Sequence, residues 1–250
     1  MQTTKRLDKK LDAKLIKQGY PQDVLNLLDS EQKQMLVDKK ATYITHIIKR
    51  DNLTDDVNSK SDVSATSLSN FTQSIVVSDL ADSPNGRMRY ALTYNWNWNY
   101  DPYYTLTDKF GMAWSDDFDI ESAAWRYIAY GSDGIGNYAT KNWTGSGMSQ
   151  SQAATGAGWN YDIVDSFMQN NRLYLTYRHQ GRGYVEISKW SNKSGNNEQA
   201  SVVGKYFHQQ MSPQATFTFS KTPSISITPT TSYDASSSAS QLWTYNNYKY

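Results

Sequence analysis

The sequence predicts an all-β protein: an antiparallel β-sandwich with a small helical N-terminal segment. Three observations carry this. In MRYALTYNWNWNY, residues 88–100, Met88, Tyr90, Leu92, Tyr94, Trp96, Trp98 and Tyr100 take every second position. A strand sends successive side chains to opposite faces, so this spacing makes one aromatic face and one polar face. Many shorter runs of the same period follow, separated by turn residues, as in sandwiches and barrels. The apolar fraction is only 38%, but 19 Tyr, 8 Trp and 7 Phe among 250 residues supply bulk for one large β domain.

Residues 1–50 read as the helical segment. Leu7, Leu11 and Leu15 recur every fourth position among lysines and aspartates, with Ile16 beside the last, the pattern of an amphipathic helix. Gly19 supplies a stop and Pro21 a start for a second helix with Val24, Leu25 and Leu28 on one side. Asp29 and Ser30 offer an N-cap, with Gln32 three residues after Asp29, for a third helix through Met35 and Leu36. Tyr43–Ile48 is rich in β-branched residues and is open to a strand reading. These helices are expected to plug one face or end of the β domain.

Residues 51–66 read as a linker or mobile loop, charged and then serine-rich, and 67–250 as the sandwich. A first strand carries Phe71, Ile75 and Val77. The turn signal Asp82-Ser-Pro-Asn-Gly86 then folds it back onto the aromatic strand. Further strands are expected at 109–115, 120–130, 161–164, 202–210, 215–220, 224–228 and 242–250. A hairpin is expected to join 172–178 to 184–190 through His179-Gln-Gly-Arg-Gly183. Segments 131–159, 191–200 and 232–240 read as loops, being rich in Gly, Ser and Asn.

Charge and composition exclude several functions. A net charge of +1 with no basic stripe gives nucleic acid no footprint. No cysteine means no disulfide, thiolate nucleophile or Cys-based zinc site. His46, His179 and His208 lack metal-ligand spacing, no GxSxG elbow occurs, and the glycine-rich stretches 131–136 and 144–149 lack a phosphate loop's lysine. His208 reads as a half-buried strand residue. No stretch approaches the roughly 20 apolar residues of a spanning helix. The polar start MQTTKR reads as a mature form with an added methionine, in preference to a cytoplasmic start.

Two clusters stand out as candidate sites. Trp98, Tyr100, Tyr103 and Tyr104 surround the turn at Asp101-Pro102. Rings there could stack on sugar C–H faces while Asn amides bond hydroxyls, although the alternating aromatic set itself is expected to be core. Asp116, Asp117, Asp119 and Glu121 crowd a short stretch that could offer calcium several oxygens, without the EF-hand spacing. The same carboxylates are the residues a glycoside hydrolase would need. Otherwise they mark a turn between strands.

The segments LIKQGYPQDVLNLL, NWNW with LTDKFGMAWSDD, and VGKYFHQQM with the later TSYD resemble uncharacterised secreted β-rich proteins of Gram-positive bacteria. That resemblance implies secretion or a cell-surface location and no activity. The leading expectation is a secreted, non-enzymatic binding module acting at a bacterial envelope or on a glycan or cell-wall polymer. A secreted antagonistic or pore-forming β protein is the alternative, with the amphipathic Ser/Thr strands 64–78 and 215–230 as the segments that would unfurl. A carboxylate-dependent glycoside hydrolase is the third reading. The oligomeric state is left open.

Overall fold

A computed structural model of the protein describes residues 2–51, 71–81, 86–99, 105–209, 215–228 and 233–248. Helices α1 (Gln2–Lys17), α2 (Gln22–Leu25) and α3 (Ser30–Asp38) come first. The strands follow: β1 (Thr42–Asp51), β2 (Phe71–Leu80), β3 (Arg87–Trp98), β4 (Thr107–Trp114), β5 (Asp119–Ser132), β6 (Tyr138–Ser146), β7 (Gln150–Gln152) and β8 (Gly156–Asp162). After them come β9 (Ser166–Gln169), β10 (Arg172–Trp190), β11 (Asn197–Gln209), β12 (Thr216–Ser220), β13 (Ser224–Thr228), β14 (Tyr233–Ala235) and β15 (Ala239–Asn246).

Two antiparallel sheets face each other. The first runs β1-β2-β3-β10-β5-β6, with β9 on the start of β10. The second runs β14-β11-β4-β8-β7, with β15 on the first half of β11. Between them lies the aromatic core. Met88, Tyr90, Leu92, Tyr94, Trp96 and Trp98 of β3 are all buried and meet Phe110, Trp114, Trp159, Tyr161 and Tyr206 of the opposing sheet. Trp96 stacks on Tyr161 at 5.4 Å, and Phe71 meets Tyr206 at 4.8 Å. Each such side chain contributes roughly 2–3 kcal/mol by leaving water. The sandwich and the inward aromatic face are therefore as the alternation predicts.

The helices form a third layer, on the outer face of the first sheet. Leu15, Tyr20, Val24, Leu25, Leu28 and Leu36 pack against Val76, Leu80, Ala91 and Tyr184. Leu11 and Leu15 are buried while Leu7 is exposed, so only part of the leucine repeat is used. Gly19 ends α1 with φ +90°. Asp29 and Gln32 form the capping box of α3, with Gln32 N donating to Asp29 Oδ1 at 2.9 Å and Asp29 N to Gln32 Oε1 at 3.0 Å. Arg126 and Arg182 clamp this cap to the sheet through Asp29 and Glu31, at 2.5–3.0 Å.

Several sequence expectations are corrected. Helix ends at Asp38, and residues 42–51 are β1, an edge strand of the first sheet. The His179–Gly183 stretch is no turn: β10 runs unbroken through it for 19 residues. Its glycines serve close packing, since a Cβ at Gly181 would lie 2.4 Å from the Trp96 ring and one at Gly183 would lie 2.4 Å from Trp159. Part of 131–159 is strand, as β6, β7 and the start of β8, and β11 begins at Asn197. On the polar face of β3, Thr93 and Asn95 are buried, and Gln32 of α3 donates to Asn95. Segment 52–70 and the turn residues 82–85 lie outside the described residues.

Candidate functional site

The hairpin β12–β13 belongs to neither large sheet. Its ladder is internal, pairing Thr216 with Thr228, Phe217 with Ile227 and Phe219 with Ile225. Period two divides it sharply. Phe217, Phe219, Ile225 and Ile227 are buried, while Thr216, Thr218, Ser224, Ser226 and Thr228 are exposed. The apolar side lies on the outer face of the second sheet, against Ala113 and Phe207.

Glycines make the seat. Along the outer face, Gly111 of β4 and Gly156 and Gly158 of β8 present bare backbone. A Cβ on Gly158 would sit 2.5 Å from the Phe217 ring, and one on Gly156 would sit 2.3 Å from Phe219. Among the described residues, Gln150 and Asp117 hold the hairpin by polar contacts. The Gln150 amide bonds both polar backbone atoms of Phe217, at 2.9 and 3.0 Å. At the tip, Lys221 pairs with Asp117 at 3.2 Å, an exposed contact worth little by itself. Beneath the hairpin lies Lys109, 2% exposed, with Nζ 3.0 Å from Asn160 Oδ1 and 5.6 Å from the centre of the Phe217 ring. Burial pulls its ammonium pKa below the usual lysine range, with Asp108 acting the other way.

At one end of the sandwich core is a polar cluster that sequence reasoning missed. Asp108 and His208 are fully buried, so His208 is not the half-exposed residue expected from its strand. Asp108 accepts from the Tyr206 hydroxyl and from Gln209 N at 2.9 Å, with His208 Nδ1 at 3.1 Å. His179 Nδ1 and the Tyr127 hydroxyl are 2.8 Å apart. Burial, with the neighbouring His208 second, pushes the His179 pKa down to about 3. These groups lie a hundred or more residues apart in pairs such as Asp108 and His208, and no local motif announces them.

Of the predicted site residues, the structure describes Trp98 and the four carboxylates of 116–121. Trp98 is 0% exposed, inside the core against Phe71, Tyr206 and His208, so it offers no stacking surface. It continues the inward register of β3, which overrides its position near a turn. Tyr100, Tyr103 and Tyr104 lie outside the described residues. The acidic cluster is dispersed: Asp116 accepts from the Tyr245 hydroxyl at 3.2 Å, Asp117 pairs with Lys221, Asp119 with Arg87 at 2.6 Å, and Glu121 with Ser188 and Arg87. Asp116 and Asp117 have φ of +69° and +51°, turn positions that aspartate tolerates. Among the described residues, no group of three or more His, Asp or Glu is placed to hold a metal ion.

No protein-family profile and no curated protein sequence matches the chain. Solved structures similar to it include one described as a pore forming protein, at 9% identity over 83% of this chain and 96% of that one, with a TM-score of 0.37. Another is the NetB toxin of Clostridium perfringens in its membrane-inserted form, at 9% identity, 80% and 95% coverage and a TM-score of 0.29. A third is the enzymatically active domain of tailspike protein 4 of bacteriophage CBA120, at 9% identity, 58% and 16% coverage and a TM-score of 0.25.

Proposed function

We propose that this protein inserts into membranes as a β-pore-former, with β12–β13 as the element that leaves the soluble fold. The carrying observation is the docked hairpin itself: amphipathic, hydrogen-bonded only to itself along its ladder, and seated on glycine backbone. An element built into a sheet is released only by breaking its ladders on both sides. Among the described residues, β12–β13 itself is released by parting an apolar contact and the Gln150 and Lys221 attachments, and a stretch that reaches Tyr233 and Asp234 also gives up the β14 pairing with β11.

Length sets a condition. Five residues per strand fall short of the roughly 9–11 needed to cross a bilayer. The alternation continues in the sequence, however. Met211, Ala215, Phe217 and Phe219 lead into the tip, and Ile225, Ile227 and Tyr233 lead away, with Gln, Ser, Thr or Asp at every even position between Gln210 and Ser220 and between Ser224 and Asp234. Those stretches are long enough for two spanning strands, at the cost of one ladder donor at each of Pro213 and Pro229 and of the polar Thr231 on the apolar side. A lone hairpin leaves its outer backbone groups unsatisfied in lipid, so several copies must close a barrel. The other candidate, 64–78, fits less well: from Phe71 it is β2, paired with β1 and β3 on its two edges.

The test uses the chain's freedom from cysteine. Cysteines at positions 117 and 221, bridged by a reducible thiol-reactive linker, tie the hairpin tip to the β4–β5 turn. The unlinked protein is expected to release dye from liposomes, the bridged form to release none, and reduction to restore release. Undiminished leakage from the bridged form, or no leakage from the unlinked protein, would refute the proposal.

A further inference from the structure

We propose that the outer face of the first sheet holds a binding site for a small oxyanion, a phosphate or carboxylate group, in the cleft where the helix layer ends. This is independent of the pore reading. The cleft measures about 220 Å³, room for a small organic anion, and its floor is the polar face of β2, β3 and β10. Register assembles it: Thr72 pairs with Asn97 and Asn97 with Gln180 in one row, and Ser74 with Asn95 in the next. Asn26 and Leu27, in the turn after α2, make the helix-side wall.

The hydrogen-bond inventory decides the ligand's chemistry. All five side-chain amide oxygens lining the cleft are engaged, that of Gln73 by the Tyr94 hydroxyl at 2.8 Å. Asn95 Oδ1 accepts from Gln32 at 2.5 Å, Asn97 Oδ1 from Arg178 Nε at 2.7 Å, Gln180 Oε1 from the Tyr130 hydroxyl at 2.7 Å and Asn26 Oδ1 from Gln22 at 3.2 Å. What remains is an excess of donors. Among the described residues, Asn95 Nδ2 and Ser74 Oγ find no hydrogen-bond partner, on residues 7% and 1% exposed. An unpartnered buried donor costs roughly 1–3 kcal/mol, so two lining one cleft call for a group that satisfies them.

Arg178 sets the charge. Its Nε is fixed by Asn97 and its guanidinium lies 4.5 Å from the centre of the Tyr130 ring, which leaves the terminal nitrogens for a ligand. Among the described residues it is the one charged side chain lining the cleft, and none of the lining residues there is a carboxylate. The nearby Arg126 and Arg182 are already neutralised by Asp29 and Glu31. A planar cation held in place beside neutral N–H and O–H donors matches the geometry of a phosphate or carboxylate.

The experiment titrates the full chain at constant ionic strength with glycerol 3-phosphate and with citrate, using glucose as the uncharged control and following amide signals by NMR. A parallel arm measures retention on phosphatidic acid vesicles. Saturable binding of either soluble anion, absent for glucose, supports a free ligand. Retention on vesicles without soluble binding supports a lipid headgroup. In either case Arg178→Gln is expected to weaken binding at least tenfold. Ser74→Ala, which removes an unpartnered hydroxyl and so leaves the fold intact, should weaken it several-fold, while Arg172→Gln on the far part of β10 changes nothing. No saturable binding in any arm overturns the site, as does binding that survives Arg178→Gln and Ser74→Ala.

Discussion

His179 shows how burial turns a side chain into a pH-dependent contribution to stability. Its pKa is about 3 in the folded protein against an ordinary value of 6.5. The unfolded chain therefore binds a proton at this position as pH falls below about 6.5, while the folded chain binds it only near 3. The stability that neutral His179 provides is complete above the unfolded value and is lost as pH falls towards 3. By about pH 4.5 the loss should be roughly 2–3 kcal/mol. Urea denaturation across this range should show that slope in the native protein and a shallower one in His179→Gln, whatever its baseline. Leu25 offers a simpler case. It is 0% exposed at the end of α2, on the side of the helix layer packed against the first sheet, and Leu25→Ala should cost about 2–4 kcal/mol by the same measurement.

At the scale of elements, glycines with different neighbours should fail differently. Gly158 meets the Phe217 ring on the outer face of the second sheet, whereas Gly183 meets Trp159 and Phe110 inside the sandwich. Gly158→Val should displace β12–β13 while the core aromatics stay packed. Trypsin cleavage after Lys221 would rise about tenfold with near-ultraviolet circular dichroism unchanged. Gly183→Val should instead lose the near-ultraviolet signal, since the added methyl groups have only core rings to displace. Equal behaviour of the two variants would mean that the hairpin and sandwich unfold together. The hairpin's period-two pattern was legible in Thr216–Ser220 and Ser224–Thr228. Its detachment from both sheets was not, because amphipathic alternation is the same for an edge strand, a central strand of a half-solvated sheet and a free hairpin.

For the whole molecule, the layers run helices, first sheet, second sheet, hairpin, and each outer layer covers a different kind of surface. The helices cover Val76, Ala91 and Tyr184, whereas the hairpin covers glycine backbone and the buried Lys109. No helix among the described residues is long and apolar enough to cross a membrane. The sequence by itself determined the all-β class, the inward aromatic face of β3 and the capping box at Asp29 and Gln32, because period and cap chemistry act over a few neighbouring residues. Only the tertiary structure decided that Trp98 is core, that β10 runs straight through Gly181 and Gly183, and that Asp108 meets His208. It also decided that Ser74, Asn95 and Arg178 share one cleft and that β12–β13 rests on glycines. Each of these depends on which strand lies beside or across from which, and strand pairing joins residues far apart in the chain through backbone hydrogen bonds that no side-chain pattern specifies.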